Sequence, residues 1–141
     1  MGVEESVSKY NTVATEFKDE ECLVQALHDV GYADVEVHEI PQNLVGYHGD
    51  LRQQKAHIIV RRKHISQSAN DLGFLRNADG SYSQIVSDFD QGKHDATWNA
   101  KLKAAYGERG AMKVARKKGF HFLGKTVVNG KTQLKFQDRR S

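Results

Sequence analysis

The chain has one cysteine, one proline and no long apolar run. Each shortage excludes something. Cys22 alone cannot close an internal disulfide, so a packed core must hold the fold, and a reducing compartment suits it. No stretch approaches the ~18 apolar residues of a membrane-spanning helix. Met1 to Lys9 carries two glutamates and no apolar centre, unlike a secretory signal. The expected address is cytoplasmic, or the soluble space of an organelle such as the plastid stroma. Internal repeats and low-complexity runs are also missing.

Acid is scarce in one region. Residues 1–90 hold 8 Lys/Arg against 15 Asp/Glu, a balance of −7, whereas residues 91–141 hold 13 against 3, or +10. A basic segment attracts phosphates or carboxylates and binds them in a salt-sensitive way. The plainer possibility is that the basic end folds onto the acidic one and is partly neutralised.

What is present is an ordinary globular composition, 38% hydrophobic and 28% charged over 141 residues, large enough for one core. The pattern predicts one domain over residues 9–137, with a flexible start at 1–8 and a basic tail at 138–141. Alternation over Tyr10–Phe17 predicts a strand. Asp19 caps a helix with Leu23, Ala26, Leu27 and Val30 on one stripe, stopped by Gly31. A strand from Ala33 is expected to end by Pro41, and Gly46-Tyr47-His48-Gly49 to bend. Lys55–Ile65 reads as a strand buried on both faces at Ile58-Ile59-Val60.

Leu72–Leu75 and Tyr82–Phe89 flank Asn77-Ala78-Asp79-Gly80 as a hairpin. Asp95 caps a helix with Trp98, Leu102, Ala105 and Tyr106 on one face. That stripe fails at Arg109 and Lys113 and restarts at Ala111, Val114 and Ala115, so Gly107 and Gly110 mark an expected break or kink. Phe120–Val128 and Lys131–Phe136, joined by Asn129-Gly130, form the clearest hairpin, pairing Val127 with Thr132, Lys125 with Leu134 and Leu123 with Phe136. The order is that of an α+β fold, a single antiparallel sheet with helices packed on one face.

Gly119 to Thr126 matches the phosphate-loop pattern G-x-x-x-x-G-K-[ST] letter for letter. That chemistry needs a strand before the loop and a helix after it. Here a helix precedes, strand formers fill the middle and a hairpin follows, so no nucleotide and no other cofactor is expected. His38, His48, His57 and His64 sit on separate elements without ligand spacing, so no metal is expected either. Cys22, near a helix start, reads as a reactive thiol or a small buried hydrophobe. Asp71, Asp88 and Asp90 flank the middle hairpin, where gathering near its open end would offer acid–base catalysis, with turn and cap roles as the alternative.

The basic set carries more. Lys113, Arg116, Lys117 and Lys118 cluster at the end of the last helix, and Lys131 and Lys135 lie on the final hairpin. Tyr106 and His121 are interleaved as flat surfaces for stacking. A non-enzymatic module is therefore expected, binding nucleic acid or an acidic protein surface through these eight residues. A solvated helix face would show the same charges. Lys125, on the apolar side of the hairpin, either snorkels or reaches an acidic ligand. An adaptor acting through exposed strand edges is the other reading.

The short motifs Gly46-Tyr47-His48-Gly49, Asp71-Leu72-Gly73-Phe74, Gly80-Ser81-Tyr82 and Asp88 carry a further signal. With Ser8-Lys9-Tyr10, Ala26-Leu27, Gly31-Tyr32 and Lys55–Val60, the chain resembles the thirty-fifth hypothetical chloroplast open reading frame family over nearly its whole length. It departs at Ser87-Asp88-Phe89-Asp90, where that family has tryptophan after the aspartate, and at Gly107–Gly110, where a continuous helix is expected. The resemblance implies a cyanobacterial, algal-plastid or phage setting and no mechanism.

Overall fold

The structure, a computed structural model, describes residues 8–138. The chain runs β1 (Tyr10–Ala14), α1 (Glu20–Asp29), β2 (Glu36–Val45), β3 (Leu51–Val60), β4 (Leu72–Arg76) and β5 (Tyr82–Ser87). It continues through α2 (Ala96–Lys117), β6 (Phe120–Val128) and β7 (Lys131–Asp138). The start expected to be flexible, up to residue 7, and the tail from residue 139 lie outside the described residues.

Strands β1 to β5 form one antiparallel sheet in the order β1-β5-β4-β3-β2. Since β1 and β2 are its opposite edges, the segment between them must cross the sheet, which lays α1 on its face. Asp19 accepts the Cys22 N–H at 2.9 Å, and Glu20 and Glu21 occupy the first turn, where the helix dipole favours acid. At the other end Gly31 takes φ 116° and donates to His28 O, while Tyr32 N–H reaches back to Leu27 O at 2.9 Å. That paired closure satisfies carbonyls the helix leaves open. Leu23, Ala26 and Leu27 pack fully buried against Ile58, Val60, Phe74 and Leu102. Each large apolar side chain so placed contributes about 1.5–3 kcal/mol.

Several expected boundaries move. β1 stops at Ala14 rather than Phe17, and β3 spans Leu51–Val60 rather than Lys55–Ile65. β2 does not end at Pro41 but runs through it to Val45. It is an edge strand whose pairing with β3 shifts between Val37 and Gln42. The missing N–H of Pro41 thus falls where the ladder is already interrupted.

Only Ile58–Val60 of β3 pair with β4. Beyond them β3 leaves the ladder, and His57 Nδ1 accepts the Arg76 N–H in its place. The outer half of the β2–β3 hairpin bends back over the second face of the sheet. There Leu44, Ala56, Ile59 and Ile85 form a small core of their own. A Cβ on Gly73 would meet the Ala56 Cβ at 2.6 Å, so glycine at 73 is what lets this arm lie flat. Ile59 is buried on the opposite side from Ile58 and Val60, as the apolar run predicts.

α2 is one continuous helix of 22 residues. The expected break at Gly107–Gly110 is absent. Trp98, Leu102 and Ala105 face α1 and the sheet, whereas Ala111, Val114 and Ala115 face Phe120 and Phe136 of the last hairpin. The interrupted stripe records a change of packing partner. Packing on both flanks outweighs the ~1 kcal/mol that each interior glycine costs. β6 and β7 stand as a separate two-stranded sheet rather than joining the main one, because the chain doubles back at Gly119 and turns its apolar face to α2.

Candidate functional site

The acidic first helix neutralises part of the basic last one. Arg109 donates twice to Asp29, at 2.7 and 2.8 Å. Lys113 Nζ lies 2.6 Å from Asp19 Oδ2 and 3.4 Å from Glu21, and Arg116 approaches Glu21 at 3.9 Å. The Arg109 guanidinium holds the Asp29 carboxyl below its ordinary range. Burial pushes Asp19 the other way, but Lys113 and the Cys22 N–H outweigh it, and the net direction is also down. Lys113 is therefore an internal counter-charge.

Tyr106 belongs to the same seam. Its hydroxyl accepts from the Lys18 and Asp19 N–H groups at 3.0 Å each, and its ring packs 4.6 Å from Phe17. Cys22 is buried here too, and burial, with Asp19 behind it, pushes its thiol up.

The remaining basic residues lie elsewhere. Asn129 (φ 52°) and Gly130 (φ 76°) make the primed turn that matches strand twist. Val127 faces Thr132 and Lys125 faces Leu134, as expected, but Phe136 pairs with Phe122 rather than Leu123. A bulge at Leu123–Gly124 is the cause. Phe122 and Lys125 are three positions apart, so an extra residue is needed for both to face α2. Lys125 accordingly meets Glu108 at 3.1 Å. By alternation the opposite face carries His121, Lys131, Gln133, Lys135 and Gln137, and its cations are exposed. Arg116, Lys117 and Lys118 at the end of α2 are exposed as well, and of these only Arg116 has an acid within reach. Lys117, Lys118, Lys131 and Lys135 have no acidic partner among the described residues. The structure thus groups His121, Lys131 and Lys135 on one face, leaves Lys117 and Lys118 at the helix end, and ties Lys113 and Tyr106 into the partly exposed seam beside α1.

A second polar centre sits at the far end of the main sheet; sequence reasoning named its carboxylates Asp71 and Asp90 but not their partners Arg61 and Asn70. The Asp71 side chain is fully buried. Its Oδ2 accepts from Val45 N–H at 2.7 Å and Arg61 Nη1 at 2.8 Å, and its Oδ1 from Arg62 N–H at 2.6 Å. Arg61 continues to Glu36 at 2.9 Å and holds that carboxyl below its usual range. The Asn70 N–H and the Ser87 hydroxyl donate to Asp90 Oδ2. His94 Nε2 sits 2.7 Å from the Tyr32 hydroxyl with Trp98 packed on its ring, and burial pushes its pKa down to about 4. The signal available in sequence was Ser87 three residues before Asp90, a capping arrangement. Its partner Asn70 is too distant in the chain to be foreseen.

A concavity of about 450 Å³ opens beside Asp71, walled by Gln42, Asn43, Leu51, Arg61 and Lys63. The carboxylate's oxygens are already committed to three donors there. Asp88 is exposed, accepts from Asn11 and does not line that space. Among the described residues no group of three His, Cys, Asp or Glu side chains could hold a metal ion. Gly119 to Thr126 is a helix cap running into a strand, and its backbone lies in the hairpin ladder instead of ringing a phosphate. No described helix is long and apolar enough to cross a membrane.

One family model matches residues 26–134, from within α1 to β7; its description is "Protein of unknown function (DUF1257)". No curated protein and no solved structure matches the chain.

Proposed function

The chain belongs to that family of unknown function, and from this premise we propose that it is a non-enzymatic binding module for an acidic partner. The contact surface is the exposed hairpin face with the end of α2: Lys117, Lys118, Lys131 and Lys135, with His121 beside them and Arg116 partly engaged. One observation carries the reading. These four lysines are exposed with no acidic partner among the described residues, whereas Arg109 and Lys113 are matched by α1. Lys113 and Tyr106 drop out of the surface, being engaged by Asp19 and by the Lys18 and Asp19 N–H groups. Catalysis is the weaker reading, because the Asp71 oxygens are fully engaged and Asp88 stands apart.

The likeness to the thirty-fifth hypothetical chloroplast open reading frame family gives this reading a cyanobacterial, plastid or phage setting, in the cytoplasm or stroma. An adaptor working through strand edges draws some support from β2, which exposes Ile40 at the sheet margin. Pro41 and the shifted register protect that edge from continuous pairing.

The test is a fluorescence-anisotropy titration of the full chain against single-stranded DNA and a poly-glutamate peptide. Four neutralised charges predict roughly a fiftyfold loss of affinity for single-stranded DNA between about 50 and about 200 mM salt. The double variant Lys131→Ala/Lys135→Ala should roughly halve the salt slope. Absence of binding to both polyanions, or affinity indifferent to salt, removes the reading.

A further inference from the structure

The second apolar stripe of α2 is only partly covered. Between it and the hairpin lies a recess of about 490 Å³ lined by Ala111, Val114, Ala115, Lys118, Phe120 and Phe136. Val114 remains 51% exposed although the apolar side of the hairpin faces it. An uncovered apolar surface rimmed by charge marks an interaction site. Lys118 is its only charged wall and has no acidic partner among the described residues. Lys117 precedes it on the helix, exposed and likewise without an acidic partner among the described residues.

We propose that this recess docks an acidic protein segment, inserting one large apolar side chain against Val114 and Phe136 while flanking carboxylates meet Lys118 and its neighbours. The proposal rests on the basic-face reading and names the partner class. Charge complementarity and wall chemistry decide the occupant. Nucleic acid would bring phosphates for the lysines but polar base edges for an apolar wall that offers no side-chain donor besides Lys118. Bases also stack on open aromatic faces, whereas Phe136 already packs on Phe122 at 5.6 Å between centroids and Phe120 is half-buried. A second copy docking through a two-fold interface would set the same basic patch against itself. A peptide with an apolar anchor among acids meets both demands, as grooves for amphipathic segments do.

The test starts from a random dodecapeptide display library selected on the full chain. Enriched sequences should carry a large apolar residue with Asp or Glu beside it. A synthetic peptide of the enriched sequence should lose at least about tenfold in affinity on Val114→Lys, which blocks an anchor pocket while adding rather than removing positive charge. Lys118→Glu should weaken it comparably. Val114 is half-exposed, and near-ultraviolet circular dichroism checks that both variants fold. No enrichment, enrichment without carboxylates, or an unchanged affinity in Val114→Lys overturns the proposal. So does self-association by sedimentation that Val114→Lys abolishes, since a second copy would then fill the recess. If single-stranded DNA and poly-glutamate still bind with salt dependence while Val114→Lys is inert, the recess falls and the basic-face reading stands. If salt-dependent binding is missing altogether, both fall.

Discussion

The two ends of the molecule handle charge in opposite ways. At the far end of the main sheet, Asp71, Arg61 and Glu36 form a chain of contacts in which the Asp71 carboxylate is out of water and both its oxygens are engaged. At the α2–hairpin end, ion pairs such as Lys125–Glu108 are half in solvent, and four lysines have no acid at all. Charges held by backbone N–H groups position strands and turns and are unavailable to anything else. Exposed cations contribute little to stability and stay free to meet a partner. The contrast separates a structural polar centre from a candidate surface, although both look equally polar in sequence.

The sharpest way to break the comparison is Asp71→Ala. It would leave the Arg61 guanidinium and the Val45 and Arg62 N–H groups without their acceptor. A loss of about 3 kcal/mol is expected in urea denaturation. A loss below about 1 kcal/mol would mean that this end is no more closed than the surface.

The next effect is pH dependence through His94, whose folded pKa of about 4 lies below its ordinary value of 6.5. Above pH 6.5 the ring is neutral in both folded and unfolded chains. Below it the unfolded chain takes a proton that the folded one refuses until about pH 4. Stability is therefore present at neutral pH and lost as pH falls through that window, by about 3 kcal/mol in all. Denaturation midpoints of His94→Phe between pH 7 and pH 4 should fall less steeply than those of the parent. Parallel curves would show that His94 is not the titrating group.

Lys125→Ala tests the other end with the smallest effect. The pair with Glu108 is half-exposed on the lysine side, so about 0.5 kcal/mol or less is expected. A cost several times larger in the same assay would place the hairpin among the tightly held elements and erase the contrast.

Much of this was legible residue by residue. Asp19 and Asp95 cap their helices through Cys22 and Trp98, Gly31 closes α1, and Asn129-Gly130 makes the turn, as local patterns predict. Each involves groups within a few positions of one another, whose geometry the local backbone sets. The errors were equally physical. Pro41 stops a strand only where its N–H is needed, and an edge strand with shifted register does not need it. Gly107 and Gly110 do not break α2 because the stripe changes sides to meet the hairpin. The Leu123–Gly124 bulge answers the demand that Phe122 and Lys125 both face a helix, which no local pattern expresses.

The candidate surface divided along the same line. From sequence alone came the helices, the hairpin, the α+β class and the excess of positive charge after residue 90. Which cations remain available was decided only in three dimensions. Lys113 is lost to Asp19 across 94 positions of chain and Arg109 to Asp29 across 80, while Lys131 and Lys135 meet no acid among the described residues. Coulomb attraction depends on separation in space and on the water between charges, and neither quantity can be read along the chain.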